Sequence, residues 1–200
     1  MSFAACLNAE AKRIPPWVIY AAAFAWSVWL FYLGLTGGLG VEPVNALERA
    51  YGELALQFLV AGLCITPLRR FLGVNFLKYR RALGLTAFYF VAVHFVVWAF
   101  IDLQDLSAVW ADIVKRPYVT VGMVALLLMI PLALTSNTQS IRRLGPKWNK
   151  LHKLTYGVCL LGALHFLWLV KGFQIEPLVY AALILGLLML RTPFVAAKLR

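Results

Sequence analysis

Residues 81–101 read RALGLTAFYFVAVHFVVWAFI. After the opening arginine no aspartate, glutamate, lysine or arginine interrupts the run. At about 1.5 Å per residue it makes a helix of roughly 30 Å, the thickness of a bilayer's hydrocarbon core. Five further runs meet that length or come close: 17–36, 47–67, 117–135, 151–170 and 175–191. In lipid an unpaired backbone group is costly, so such runs cross as helices. The reading is an all-α integral membrane protein, a bundle of six transmembrane helices. Composition agrees: with 62% hydrophobic residues in a chain of 200, too little polar sequence is left to cover a water-soluble surface.

The charged residues gather between the runs, and their signs set the expected topology. One side takes Lys12, Arg13, Arg69, Arg70, Lys78, Arg80, Arg81, Arg142, Arg143, Lys147, Lys150, Lys153, Arg191, Lys198 and Arg200. The other has only Arg49, Lys115, Arg116 and Lys171, and it holds every acidic residue except Glu10. Short loops rich in Lys and Arg stay cytoplasmic, so both termini are expected there. Residues 1–16 then form a cytoplasmic segment, 17–192 the membrane domain and 193–200 a cytoplasmic tail. No apolar core precedes a small-residue cleavage site, so no removable signal peptide is expected. The net charge of +11 follows from orientation; no basic stretch lies outside the short loops to bind nucleic acid.

Several chemistries are excluded. Cys6, Cys64 and Cys159 form no CxxC pair, which argues against disulfides, zinc, iron–sulfur clusters and covalently attached c-type haem. No loop is long enough for a nucleotide-binding or flavoprotein module, and there is neither a GxGxxG before a helix nor a P-loop. Any soluble reaction partner must be another polypeptide. Pro117 suits the first turn of its helix, Pro67 and Pro193 stand near the ends of theirs, and the deeper Pro131 predicts a kink.

The three histidines are His94 in the third run and His152 and His165 in the fifth. Ionisable groups at membrane depth usually mark function. His94 follows Arg81, and His165 follows Leu151, by nearly the same number of residues, so each lies roughly 20 Å along its helix. Two imidazoles at equal depth on different helices suit the two axial ligands of one low-spin b-type haem, which carries electrons without an open iron position. The plainer alternative is that each histidine only hydrogen-bonds a neighbouring helix.

The two runs also form a faint repeat, RALGLTAFYFVAVHF beside HKLTYGVCLLGALHF, which pairs Arg81 with His152 and His94 with His165. It predicts a second layer near the cytoplasmic face, where His152 is a second haem ligand, a propionate partner or a lone interfacial histidine. Arg81 remains protonated and suits a haem propionate or a flavin phosphate better than iron. Between His152 and His165 an ideal helix turns about 220° beyond whole turns, so the two share a face only if the helix bends. Gly157 and Gly162 permit that bend.

Five motifs stand in order: TPLRR at 66–70, YRRALGLTAFYF with His94 at 79–94, KRPYVTVG at 115–122, PLALTSN at 131–137, and RRLGPKWNKLHKLTYG with the closing LH at 142–165. Together they closely resemble the MsrQ (formerly YedZ) family, within the ferric-reductase-like transmembrane superfamily. The likeness covers the second to sixth runs. It implies one or two b-type haems, reported use of FMN, and haem ligands at His94, His165 and His152. It also implies a periplasmic molybdopterin partner, MsrP, that reduces protein-bound methionine sulfoxide for repair of oxidised proteins. The expected donor is the quinone pool or a cytoplasmic flavin reductase.

The chain is thus expected to be a non-catalytic electron-transfer subunit. The alternatives are a stand-alone transmembrane ferric reductase, with a metal chelate as acceptor, and, from another class, a small polytopic transporter.

Overall fold

The computed structural model describes residues 3–170 and 172–191, which are helical throughout apart from short connections, with no strand among them. Lys171, Pro193, Lys198, Arg200 and the expected 193–200 tail lie outside the described residues. The helices are α1 (Phe3–Arg13), α2 (Trp17–Leu35), α3 (Pro43–Leu72), α4 (Arg80–Val96), α5 (Leu106–Lys115), α6 (Pro117–Leu134), α7 (Thr138–Leu144), α8 (Pro146–Leu151), α9 (Leu154–Leu169) and α10 (Ile175–Met189).

The six expected runs fall on α2, α3, α4, α6, α9 and α10. Among the described residues four stretches are long and apolar enough to cross a membrane: Trp17–Leu35, Pro43–Leu72, Leu77–Asp102 and Pro117–Leu134. At 16 and 15 residues, α9 and α10 measure only about 24 and 22 Å. The third stretch ends in a π-helical turn, Val97–Asp102, just after His94.

α3 packs along α4, α6 along α9, and α9 along α10. Leu59 and Leu63 of α3, Ala87 of α4, Met129 of α6, Val158 and Cys159 of α9 and Ile184 of α10 form the central core. Lipid tails are as apolar as leucine, so close packing and interhelical hydrogen bonds hold such helices together. Small residues supply the close packing: Ala87 and Cys159 are fully buried. The hydrogen bonds link α2, α3 and α4: the Tyr51 hydroxyl donates to the Ser27 carbonyl at 2.7 Å, and the Ser27 and Tyr89 hydroxyls meet at 2.5 Å.

One expectation is corrected. Pro67 lies inside α3, which runs on to Leu72 and stops where Gly73 takes the left-handed conformation, φ 67°. Proline has no N–H, so the Leu63 carbonyl loses its intrahelical donor. Arg191, just beyond α10, replaces it: Nη2 donates to that carbonyl at 2.6 Å. The end of α6, beyond Pro131, is tied off similarly. Thr135 Oγ1, Ser136 Oγ and Asn137 Nδ2 donate to the carbonyls of Pro131, Leu132 and Leu134 at 2.6, 2.7 and 2.8 Å.

Four of the described helices lie outside the expected runs: α1, α5, α7 and α8. α1 is fastened to the α3–α4 connection: Asn8 bonds the Gly73 carbonyl and the Asn75 amide, and the Tyr79 hydroxyl contacts the Ala11 and Ile14 carbonyls, each at 2.8 Å. Lys12 and Arg13 thus share an end of the bundle with Lys78, Arg80 and Arg81. α5 begins at Asp105, whose carboxylate accepts from the Ser107 and Ala108 amides and the Ser107 hydroxyl. These bonds, the hydroxyl's foremost, hold the Asp105 carboxyl below its ordinary pKa.

Candidate functional site

His94 stands in the last turn of α4 and His165 in α9, and the fold brings their rings face to edge. The centroids are 6.2 Å apart and the planes meet at 81°. Each ring is tied at Nδ1 to a backbone carbonyl on the helix paired with its own: His94 to Glu48 of α3 at 2.9 Å, and His165 to Tyr118 of α6 at 2.7 Å. A carbonyl only accepts, so Nδ1 is the protonated nitrogen in both. In the neutral ring Nε2 then keeps its lone pair, the form a metal-binding imidazole requires.

A glycine makes each approach possible. Four residues after Glu48 stands Gly52, and four residues after Tyr118 stands Gly122, in each case on the turn directly above the carbonyl. A Cβ at Gly52 would lie 3.3 Å from His94 Nδ1, and one at Gly122 only 2.9 Å from His165 Nδ1 and 3.0 Å from its Cε1. The α3–α4 and α6–α9 pairs therefore carry the same device: carbonyl, glycine one turn later, imidazole from the partner helix. The sequence signal is GLU-x-x-x-Gly in ERAYG and Tyr-x-x-x-Gly in YVTVG, legible only once the helices are paired.

The residues fit a haem. An iron about 2 Å from each ligand nitrogen, with each ring centre about 1 Å farther out, sets the centres roughly 6 Å apart. Among the described residues no group of three or more His, Cys, Asp or Glu gathers to hold a bare metal ion. A haem supplies four nitrogens of its own and takes two from the protein. A haem iron held by both imidazoles would keep no position for a substrate, and the chemistry it would supply is electron transfer.

His152 is built differently. It caps α8, stacks on Trp148 with centroids 3.9 Å apart, and its Nε2 lies 3.1 Å from Thr135 Oγ1. Since the Thr135 hydroxyl donates to Pro131, His152 Nε2 is the donor to Thr135. No second histidine faces it. Arg81 is exposed on the first turn of α4; its neighbour Arg80 is the arginine whose charge acts on His152.

At the other end, Arg116 pairs with Asp112 of α5 at 2.9 Å and its Nη1 donates to the Tyr118 hydroxyl at 3.2 Å. This braces the residue whose carbonyl holds His165.

Residues 49–163 match the family described as "Ferric reductase like transmembrane component". The chain is 46% identical over 194 residues to the protein-methionine-sulfoxide reductase heme-binding subunit MsrQ of Brucella anthropi, covering 94% of this chain and 88% of that one. It is 49% identical over 176 residues to the proteins of the same description from Brucella ovis and Brucella canis, covering 88% of this chain and 80% of each relative. No solved structure matches the chain. On these likenesses the chain is a membrane protein that belongs to the ferric-reductase-like transmembrane family and, within it, to the MsrQ proteins.

Proposed function

We propose that this chain is the membrane-embedded b-type cytochrome subunit of a periplasmic methionine-sulfoxide reductase system. It takes electrons from the quinone pool or a cytoplasmic flavin reductase and delivers them to the molybdopterin partner, MsrP. The observation that carries the reading is the His94–His165 pair, its centroids 6.2 Å apart with both Nδ1 atoms engaged by carbonyls. In this reading His94 and His165 would hold one haem through their Nε2 atoms.

The haem, when bound, supplies a one-electron carrier. The protein's part is to hold both imidazoles in one tautomer. The Glu48 and Tyr118 carbonyls do so through Nδ1, which also raises the basicity of Nε2. α9 and α10 complete a bundle of six spans, their shortness made up by the connections at their ends, with both termini on the cytoplasmic side of the bacterial inner membrane. The clustering of α1 with the basic α3–α4 connection supports that orientation. Asp102 and Asp105, exposed at the opposite end, offer the acceptor an acidic docking rim.

His152, engaged with Thr135 and Trp148 and lacking a facing histidine, stands roughly 20 Å along the helix from His165, out of reach of a haem held there, so it acts as a lone interfacial histidine rather than a haem contact and the chain holds one haem. FMN rests on the family resemblance, with Arg81 at the basic end as its phosphate contact.

Stopped-flow reoxidation of the dithionite-reduced chain tests the assignment. Reoxidation by MsrP with a methionine-sulfoxide protein, and none by that protein alone, is expected. Equally fast reoxidation by a ferric chelate, with no response to MsrP, would instead establish a stand-alone ferric reductase, the reading that the matched family's description favours.

A further inference from the structure

Between the C-terminal ends of α3 and α10 and the start of α4 lies a cavity of about 320 Å³, lined by Thr66, Arg70, Arg80, Tyr156 and Arg191 among others. That volume falls within the range of small-ligand sites, roughly 300–1,000 Å³. Among the described residues three guanidiniums line it and no carboxylate does.

Among the described residues no aspartate or glutamate is at hand to balance Arg80 or Arg191. Every Asp and Glu but Glu10 is concentrated towards the other end of the bundle: Glu53, the acidic residue of α3 nearest in sequence to Arg70, stands roughly 25 Å away along the helix. Glu10 is engaged with Arg13 at 2.9 Å. Helix dipoles explain part of the cluster, since Arg70 in the last turn of α3 and Arg191 beyond α10 face negative helix ends. They do not explain Arg80, which sits at the positive end of α4, where an anion is favoured.

Arg191 adds an independent observation. Its Nη2 is taken by the Leu63 carbonyl and its Nη1 by the Tyr156 hydroxyl at 3.3 Å. Its Nε is buried without a hydrogen-bond partner among the described residues. A buried guanidinium N–H left unmade is costly, and an acceptor in the cavity satisfies it.

We propose that this cavity is a binding site for a phosphate group, held by Arg70, Arg80 and Arg191 with Thr66 and Tyr156 at its wall. Arginine's planar fork matches phosphate oxygens. Two sources share this chemistry: the headgroup of an anionic phospholipid, and a soluble phosphate.

The test uses the full chain in maltoside detergent and native mass spectrometry, titrating phosphatidylglycerol, diacylglycerol, which lacks the phosphate, and inorganic phosphate. A saturable one-to-one adduct with phosphatidylglycerol and none with diacylglycerol is expected, weakened about tenfold or more in Arg70→Gln and Arg80→Gln, with circular dichroism confirming that both fold. Displacement of the lipid by millimolar inorganic phosphate assigns the site to soluble phosphates; failure to displace assigns it to lipid. Absence of any saturable adduct, adducts with diacylglycerol of equal strength, or binding unchanged in both variants overturns the proposal.

Discussion

Replacing Gly122 by alanine tests the way His165 is held. The new Cβ would lie 2.9 Å from His165 Nδ1, whereas ordinary contact begins at 3.4 Å. The ring must therefore retreat by about 0.5 Å, stretching the 2.7 Å bond to the Tyr118 carbonyl towards the roughly 3.2 Å limit of a good N–H···O bond. Loss of such an outer bond to a ligating histidine typically lowers metal affinity about 10- to 100-fold. The matching change at Gly52 brings a Cβ to 3.3 Å of His94 Nδ1, a shortfall of only about 0.1 Å, so its effect should be several-fold smaller. Helix propensity runs the other way: Gly→Ala inside a helix stabilises it by roughly 0.5–1 kcal/mol, so a loss of haem cannot be put down to a weakened helix. Haem titration into the haem-depleted protein, followed at the Soret band, gives both affinities. Equal affinities for wild type and Gly122→Ala, or a larger loss from Gly52→Ala, would refute the carbonyl–glycine device.

The Pro67–Arg191 contact predicts a rescue. Arg191→Leu should cost about 1–3 kcal/mol in detergent unfolding by stranding the Leu63 carbonyl, and adding Pro67→Ala, which restores an N–H, should recover most of it; no recovery would mean that Arg191 acts elsewhere. Asp105 has its carboxyl held below the ordinary range by Ser107, so its capping contribution is present above the unfolded value, about pH 4, and lost as pH falls through the folded one. Amide exchange at Ser107 and Ala108 should accelerate in Asp105→Ala and, in wild type, on acidification below that point; unchanged exchange in the variant contradicts the cap. His152→Phe should leave the haem-to-protein ratio unchanged while costing about 1 kcal/mol for the lost bond to Thr135; a halved ratio would establish a second haem.

The apolar runs were legible because lipid imposes a long, charge-free helix, and the described helices begin or end within a few residues of most expected bounds. Where they differ the cause is tertiary. Pro67 reads as a terminus because proline ends most helices, but Arg191, more than a hundred residues on, supplies the missing donor and α3 continues to Leu72. α5 was passed over because it is short and amphipathic: Leu106, Trp110 and Val114 are exposed on one side while Val109 is buried. His94 and His165 stood out by depth alone. Their supports did not, since a backbone carbonyl carries no residue signature and a glycine in a membrane helix is ordinary. The same spacing in ERAYG and YVTVG gains meaning only when α3 is laid on α4 and α6 on α9. His152 shows the converse, since the repeat pairs it with Arg81 whereas the fold sets it on Thr135 and Trp148.

The most direct test of the central claim is the visible spectrum of the detergent-purified chain, oxidised and dithionite-reduced, with haem quantified as the pyridine haemochrome. Wild type and the His94→Ala and His165→Ala variants should be compared. The account predicts a low-spin b-type spectrum at one haem per chain in wild type, abolished in each variant. A wild-type chain that binds no haem when haem is supplied, or either variant keeping the full low-spin spectrum, would contradict it.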